Sequence, residues 1–199
     1  HYSTPASTGS AFEYDGTAYT QVDFMPEAMS KHIGAGTQNA TISYGGQERS
    51  YASPYGASTS EYAHTWNGSS WSNISITINA RTGLASTPNG TVNSTMAMGA
   101  AGNSPDIKST ECWNGSSWSE IAEQNIRRVN LGGSGVPDDA QVFGGQPSAG
   151  SSGTAAGGTS EYWNGTVWVT GANLNRAQAS PGGDGSNVRG AGTAAAALA

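Results

Sequence analysis

The sequence predicts an all-β protein, an array of four repeats of about 50 residues that each supply about four short strands. Three observations carry this. Trp-Asn-Gly recurs at residues 61–72 (EYAHTWNGSSWS), 111–119 (ECWNGSSWS) and 161–169 (EYWNGTVWV), with a weaker copy at 12–20 (FEYDGTAYT) where Tyr14 and Tyr19 replace the two tryptophans. Six Trp and eight Tyr recur at regular intervals among small residues, 29 of them Gly, a distribution that disordered chains lack. No stretch carries a 3.6-residue periodicity long enough for a helix.

Each repeat opens on a hairpin. Asn-Gly between aromatic flanks is the strongest short hairpin signal, and it predicts a type I′ turn with positive φ at both central residues. The turn glycines are Gly16, Gly68, Gly115 and Gly165, and Asp15 stands for Asn in the first copy. Residues 161–163 and 167–169 are then the two strands, with the two tryptophans paired across them. A polar stretch with Asn and often Arg follows, ending at Arg81, Arg128 and Arg176, with Met29 in the first copy. Next comes a predicted Gly-rich turn: residues 34–36, 89–90, 133–135 and 183–185. A strand of small and apolar residues then runs into glycine, at 40–44 before Gly45-Gly46, at 95–98 before Gly99-Ala100 and at 140–143 before Gly144-Gly145. Residues 193–199 are the fourth such strand. A variable surface linker, such as 146–158, leads to the next hairpin.

The repeats divide one domain, residues 1–199, into units 1–46, 47–99, 100–145 and 146–199. None buries its sheet alone, so neighbours must pack. Four short antiparallel strands per unit, with Gly-Gly after the second and Trp on the fourth, fit one blade of a β-propeller. The hairpin halves and strand halves are offset in phase, so a closed ring would share one blade between the two termini. A larger ring, from missing sequence or several chains, satisfies the same pattern. The chain reads as a segment of a longer protein.

Gly-Gly, a variable loop, Glu-x-Trp-Asn-Gly-x-x-Trp, Asn-x-x-Arg and Gly-x-Gly together resemble the kelch-like repeats of virion structural and fibre proteins of marine phages, the cyanophage type. The resemblance covers nearly the whole chain, and WNGSSW is its specific phrase. It implies a kelch-like β-propeller or propeller-like array in a virion, as part of a fibre or a capsid or tail appendage. Its role would be assembly with other virion proteins or copies of itself, with possible adhesion to a host-surface glycan. The same features admit a secreted bacterial surface adhesin or extracellular filament subunit. They also admit a carbohydrate-active propeller enzyme, because fold alone does not fix function.

Composition narrows these classes. Only 11% of residues are charged, about half the usual share of roughly 25%. The net charge is −6 and the longest basic run is Arg127-Arg128, so no electrostatic footprint for nucleic acid exists. No apolar stretch approaches the roughly 20 residues of a membrane-spanning helix. Cys112 is the only cysteine and reads as a half-buried strand thiol.

No catalytic, cofactor or metal site is expected. Glu61, Glu111 and Glu161 recur once per repeat, which reads as structural: capping a turn, or meeting the repeated Arg81, Arg128 and Arg176. Paired carboxylates for glycoside hydrolysis are the competing reading. His1, His32 and His64 read as exposed polar side chains rather than metal ligands. Asp138, Asp139 and Asp184 lack calcium-loop spacing. Seven sequons stand at Asn39, Asn67, Asn73, Asn89, Asn93, Asn114 and Asn164, and three of these are the hairpin-turn asparagines. Tyr51 and Tyr55, in a linker, could stack on sugar rings or pack between subunits.

Overall fold

The computed structural model describes residues 9–48, 58–102, 107–147 and 156–175. Apart from a 3-10 turn at Ala156–Gly158, the named elements of these residues are all strands, as the sequence predicts. The aromatic pairs set the hairpins. Tyr14 faces Tyr19, Trp66 faces Trp71, Trp113 faces Trp118 and Trp163 faces Trp168. Ring centroids in these four pairs lie 4.8, 5.4, 5.5 and 5.7 Å apart, within the range of favourable aromatic contact.

The connecting turn differs from the expected type I′ form. Four residues, 164–167, separate the paired tryptophans of the last hairpin, and Gly165 alone among them has positive φ. The Asn164 side chain supplies the rest. Its Oδ1 accepts the backbone N–H groups of Thr166 and Val167 at 3.0 and 2.9 Å. Asn67, Asn114 and Asp15 do the same for their own turns. A carboxylate replaces the amide here because the backbone N–H groups of the turn need only the acceptor oxygen. These donors hold the exposed Asp15 carboxyl below its ordinary pKa.

Three sheets of antiparallel strands follow, two of four strands and one of five, each joining the later half of one repeat to the hairpin of the next. Sheet I runs through Ile33–Thr37, Ala40–Tyr44, Ala63–Trp66 and Trp71–Asn73. In sheet II, Arg81–Thr82 and Ala85–Ser86 both pair with Thr95–Gly102, followed by Ile107–Trp113 and Trp118–Ile121. Sheet III runs through Gly132–Val136, Asp139–Phe143, Ser160–Trp163 and Trp168–Thr170. Among the described residues, Phe12–Tyr14 pairs only with Tyr19–Gln21, so the first hairpin is half a sheet.

Two of the expected Gly-rich turns are strands instead. Residues 34–36 and 133–135 lie inside the opening strands of sheets I and III, and the turns fall two residues later. Neighbouring opening strands converge, with Ala85–Ser86 touching both of the others. A Cβ on Gly133 would lie 2.5 Å from the carbonyl oxygen of Ser86. These glycines serve close backbone approach rather than chain reversal. Residues 183–185 and the strand at 193–199 lie outside the described residues.

The core lies between consecutive sheets. Ile42, Tyr44 and Ala63 of sheet I pack with Leu84, Ala97, Trp113 and Trp118 of sheet II. Ala85, Met96 and Met98 of sheet II pack with Leu131, Val142, Trp163 and Trp168 of sheet III. Polar contacts fix the alignment: the Tyr44 hydroxyl donates to the Met96 carbonyl at 2.8 Å, and Trp168 Nε1 donates to Thr110 Oγ1 at 3.0 Å.

Two stability predictions follow from this geometry. Gly46 has φ +99, and a Cβ there would lie 2.6 Å from the Ser30 carbonyl oxygen and 2.8 Å from the His32 nitrogen. Gly16 has φ +98 with nothing within 4 Å. Gly46→Ala is expected to cost about 3 kcal/mol, from left-handed strain plus overpacking, and Gly16→Ala about 1 kcal/mol, read from urea midpoints at constant slope. Burial raises the Tyr44 phenol well above its ordinary pKa. The stability this contributes is complete below the unfolded value of about 10 and is lost as pH rises above it toward the folded value. The urea midpoint should therefore fall above about pH 10, and fall less steeply in Tyr44→Phe.

Candidate functional site

The most highly organised polar chemistry of the chain is a buried clamp inside sheets II and III. In sheet II, Arg81 and Glu111 are both fully buried and ion-paired. Arg81 Nη1 also donates to the carbonyls of Ala97, Gly99 and Ser109 at 3.3, 3.3 and 3.1 Å, and Nη2 to Ser109 Oγ at 3.2 Å. The Glu111 carboxylate accepts the backbone N–H groups of Ile78 and Asn79 at 2.8 and 3.0 Å and the Asn79 amide at 3.0 Å.

Sheet III repeats it. Arg128 Nη2 meets Glu161 Oε1 at 2.8 Å, with both side chains buried. Arg128 donates further to the carbonyls of Gly144 and Thr159 and to Thr159 Oγ1. Glu161 accepts the N–H groups of Asn125 and Ile126 at 2.6 and 3.1 Å and the Asn125 amide at 2.9 Å. Burial pulls both guanidinium pKa values down from the ordinary arginine value, and the facing carboxylate opposes the shift. Arg81 thus ties the opening strand of sheet II to its second and third strands, while Arg128, on the short strand Arg128–Val129 that pairs with Gln146–Pro147 beside sheet III, reaches the end of its second strand and the start of its third. Each carboxylate holds the polar stretch that enters the sheet.

Glu61 is not the third member of this set. It is exposed, and only its backbone carbonyl takes part, accepting from Thr77. Counting back two residues from the first tryptophan of each hairpin gives Glu111, Glu161 and His64. The three extra residues between Glu61 and Trp66 displace Glu61 from this position. His64 is also not exposed, as a polar histidine would be: it is fully buried, with Nε2 bonded to the half-buried Glu27 carboxylate. Glu27 precedes Met29 by two residues, as Asn79 precedes Arg81. Sheet I therefore carries the pair with its polarity reversed, the carboxylate on the entering stretch and the base on the third strand.

The other candidates fall apart in space. His32 is exposed and bonds Ser43 Oγ at 2.7 Å. Asp138 and Asp139 are exposed at the start of one strand of sheet III. No group of three or more His, Cys, Asp or Glu that could hold a metal exists among the described residues. Cys112 is half-buried in its strand, and burial raises its thiol pKa. Of the Arg127-Arg128 pair only Arg127 faces solvent. Asn67, Asn114 and Asn164 hold their turns, while Asn39, Asn73, Asn89 and Asn93 are exposed. No helix among the described residues is long and apolar enough to cross a membrane. His1, Tyr51, Tyr55, Arg176 and Asp184 lie outside the described residues.

The sequence matches no protein-family model and no curated protein.

Breaking a clamp leaves a buried charge without its partner, so Glu111→Ala should destabilise by about 3–5 kcal/mol. Adding Arg81→Met should cost far less than it does in the otherwise unaltered chain, a coupling that a double-mutant cycle in urea measures directly. In sheet I, His64→Glu should destabilise by facing Glu27 with a like charge, and adding Glu27→Asn with Met29→Arg should recover most of the loss, read by thermal midpoint.

Proposed function

We propose that the chain is a phage virion structural protein, part of a fibre or a capsid or tail appendage, whose sheets are blades of a kelch-like propeller or propeller-like array. It works as a rigid display and assembly module, contacting other virion proteins or copies of itself. The observation that carries this reading is the burial of four of the repeat's recurrent charged residues in ion pairs, Arg81 with Glu111 and Arg128 with Glu161. Glu111 and Glu161 are buried and saturated by Arg81, Arg128 and backbone N–H groups. Carboxylates held this way cannot reach a substrate as general acid or base, which a glycosidase requires of its pair. What the clamps supply is stiffness: cross-strand ties repeated from one sheet to the next, in a chain of low charge. The hairpin at Phe12–Tyr14 and Tyr19–Gln21 has the form of an outer blade half, consistent with a blade completed by another segment or another chain.

The test is immunogold electron microscopy and protein mass spectrometry on purified particles of the virus that encodes the chain. The expected result is a fixed copy number per particle with label on an appendage. Detection only in the culture fluid or on a bacterial surface, with none in particles, would replace this reading by the adhesin one.

A further inference from the structure

We propose that the groove between sheets I and II is a binding site for a neutral, hydroxyl-rich ligand, a hexose unit of an uncharged glycan. It extends the adhesive side of the proposed function and rests on it only for biological meaning. The groove encloses about 360 Å³, inside the range of about 300–1,000 Å³ typical of small-molecule sites. One wall is Trp66 and Ile74 of sheet I, the other Val92 and Trp113 of sheet II. Asn39 and Asn93, both exposed, line the same groove, as does the turn residue Asn67. Neither the Asn39 nor the Asn93 amide has a hydrogen-bond partner among the described residues, so each keeps a donor and an acceptor for a ligand.

The lining has no charged residue at all. A phosphate, a sulfate or an acidic sugar would find no counter-ion here, and a cation would find no carboxylate. Partly exposed aliphatic side chains, Ile74 and Val92, beside the neutral amides of Asn39 and Asn93 suit the alternating C–H faces and hydroxyl edges of a pyranose. The placement follows from the repeat itself. Thr65, Ile74 and Trp113 occupy the same repeat positions as Glu13, Val22 and Trp66, which line a smaller groove of about 280 Å³ between the first hairpin and sheet I. That groove has an acidic wall, since Glu13 accepts Trp66 Nε1. At the next junction the corresponding residues, Cys112 and Ile121, pack against the core of sheets II and III, as Ile74 and Val92 pack against that of sheets I and II. Of these two grooves, the one where sheets I and II meet is uncharged.

The experiment is NMR titration of the full chain with methyl glycosides of glucose, galactose, mannose and N-acetylglucosamine, with glucuronic acid and sialic acid as charged arms. The expected result is saturable shifts of the Trp113 indole and the Asn39 and Asn93 side-chain amides with one or more neutral sugars, at about millimolar affinity. The double variant Asn39→Ala/Asn93→Ala should weaken this about tenfold, and Asn73→Ala, exposed on sheet I outside the groove, should not. Shifts confined to the charged sugars, shifts centred on the Glu13 groove, or no saturable shift with any sugar would each overturn the proposal. None of these outcomes bears on whether the chain is found in particles, so the two readings fail separately.

Discussion

A charge buried in a thin sheet has to be answered on every side, and this requirement organises the fold. Arg81 and Arg128 sit where the entering stretch meets the sheet, deep enough that water cannot hydrate them. Taking such ions out of water costs several kcal/mol each, which only a partner and further hydrogen bonds recover. The recovery needs strand carbonyls, a strand hydroxyl and a glutamate from the third strand, all in register. Apolar packing between sheets tolerates small slips. The clamp does not, because a one-residue shift would turn its glutamate to the opposite face.

The Gly-Gly corner serves the same demand. The carbonyls of Gly99 and Gly144 accept from the two guanidinium groups, and the next residue turns the chain away with positive φ. In sheet II that residue is Ala100, buried at φ 146 beside a break in register. A non-glycine residue in this region is strained by about 1–3 kcal/mol. The corner is kept all the same, and its methyl group belongs to the core shared with sheet I.

Much of this was legible in the sequence. The hairpins, the Trp pairs, the strand at Ala40–Tyr44 and the pairing of Arg with Glu follow from the repeat phrase and from the rule that a recurrent charge is structural. Three things were not. The turn looked like type I′ because Asn-Gly favours it, yet the Asn side chain competes for backbone donors and a longer loop results. Gly-x-Gly looked like a turn because glycine density says nothing of a neighbouring backbone 2.5 Å from a missing Cβ. His64 was masked by Glu61, since alignment on Glu-Tyr overrides the alignment on Trp that the strand geometry obeys.

The reversed pair in sheet I has a consequence for how such an array can change. Repeats of similar sequence invite exchange of segments, and most exchanges between sheets II and III would join one working clamp half to another. An exchange that broke sheet I between Met29 and His64 would be different. A glutamate arriving on the third strand would face Glu27 with no arginine to meet it, and an arginine arriving in the entering stretch would face a histidine. Either product carries an unanswered charge in its core. The first sheet is thereby insulated from shuffling with its neighbours, and its two halves can be inherited only together.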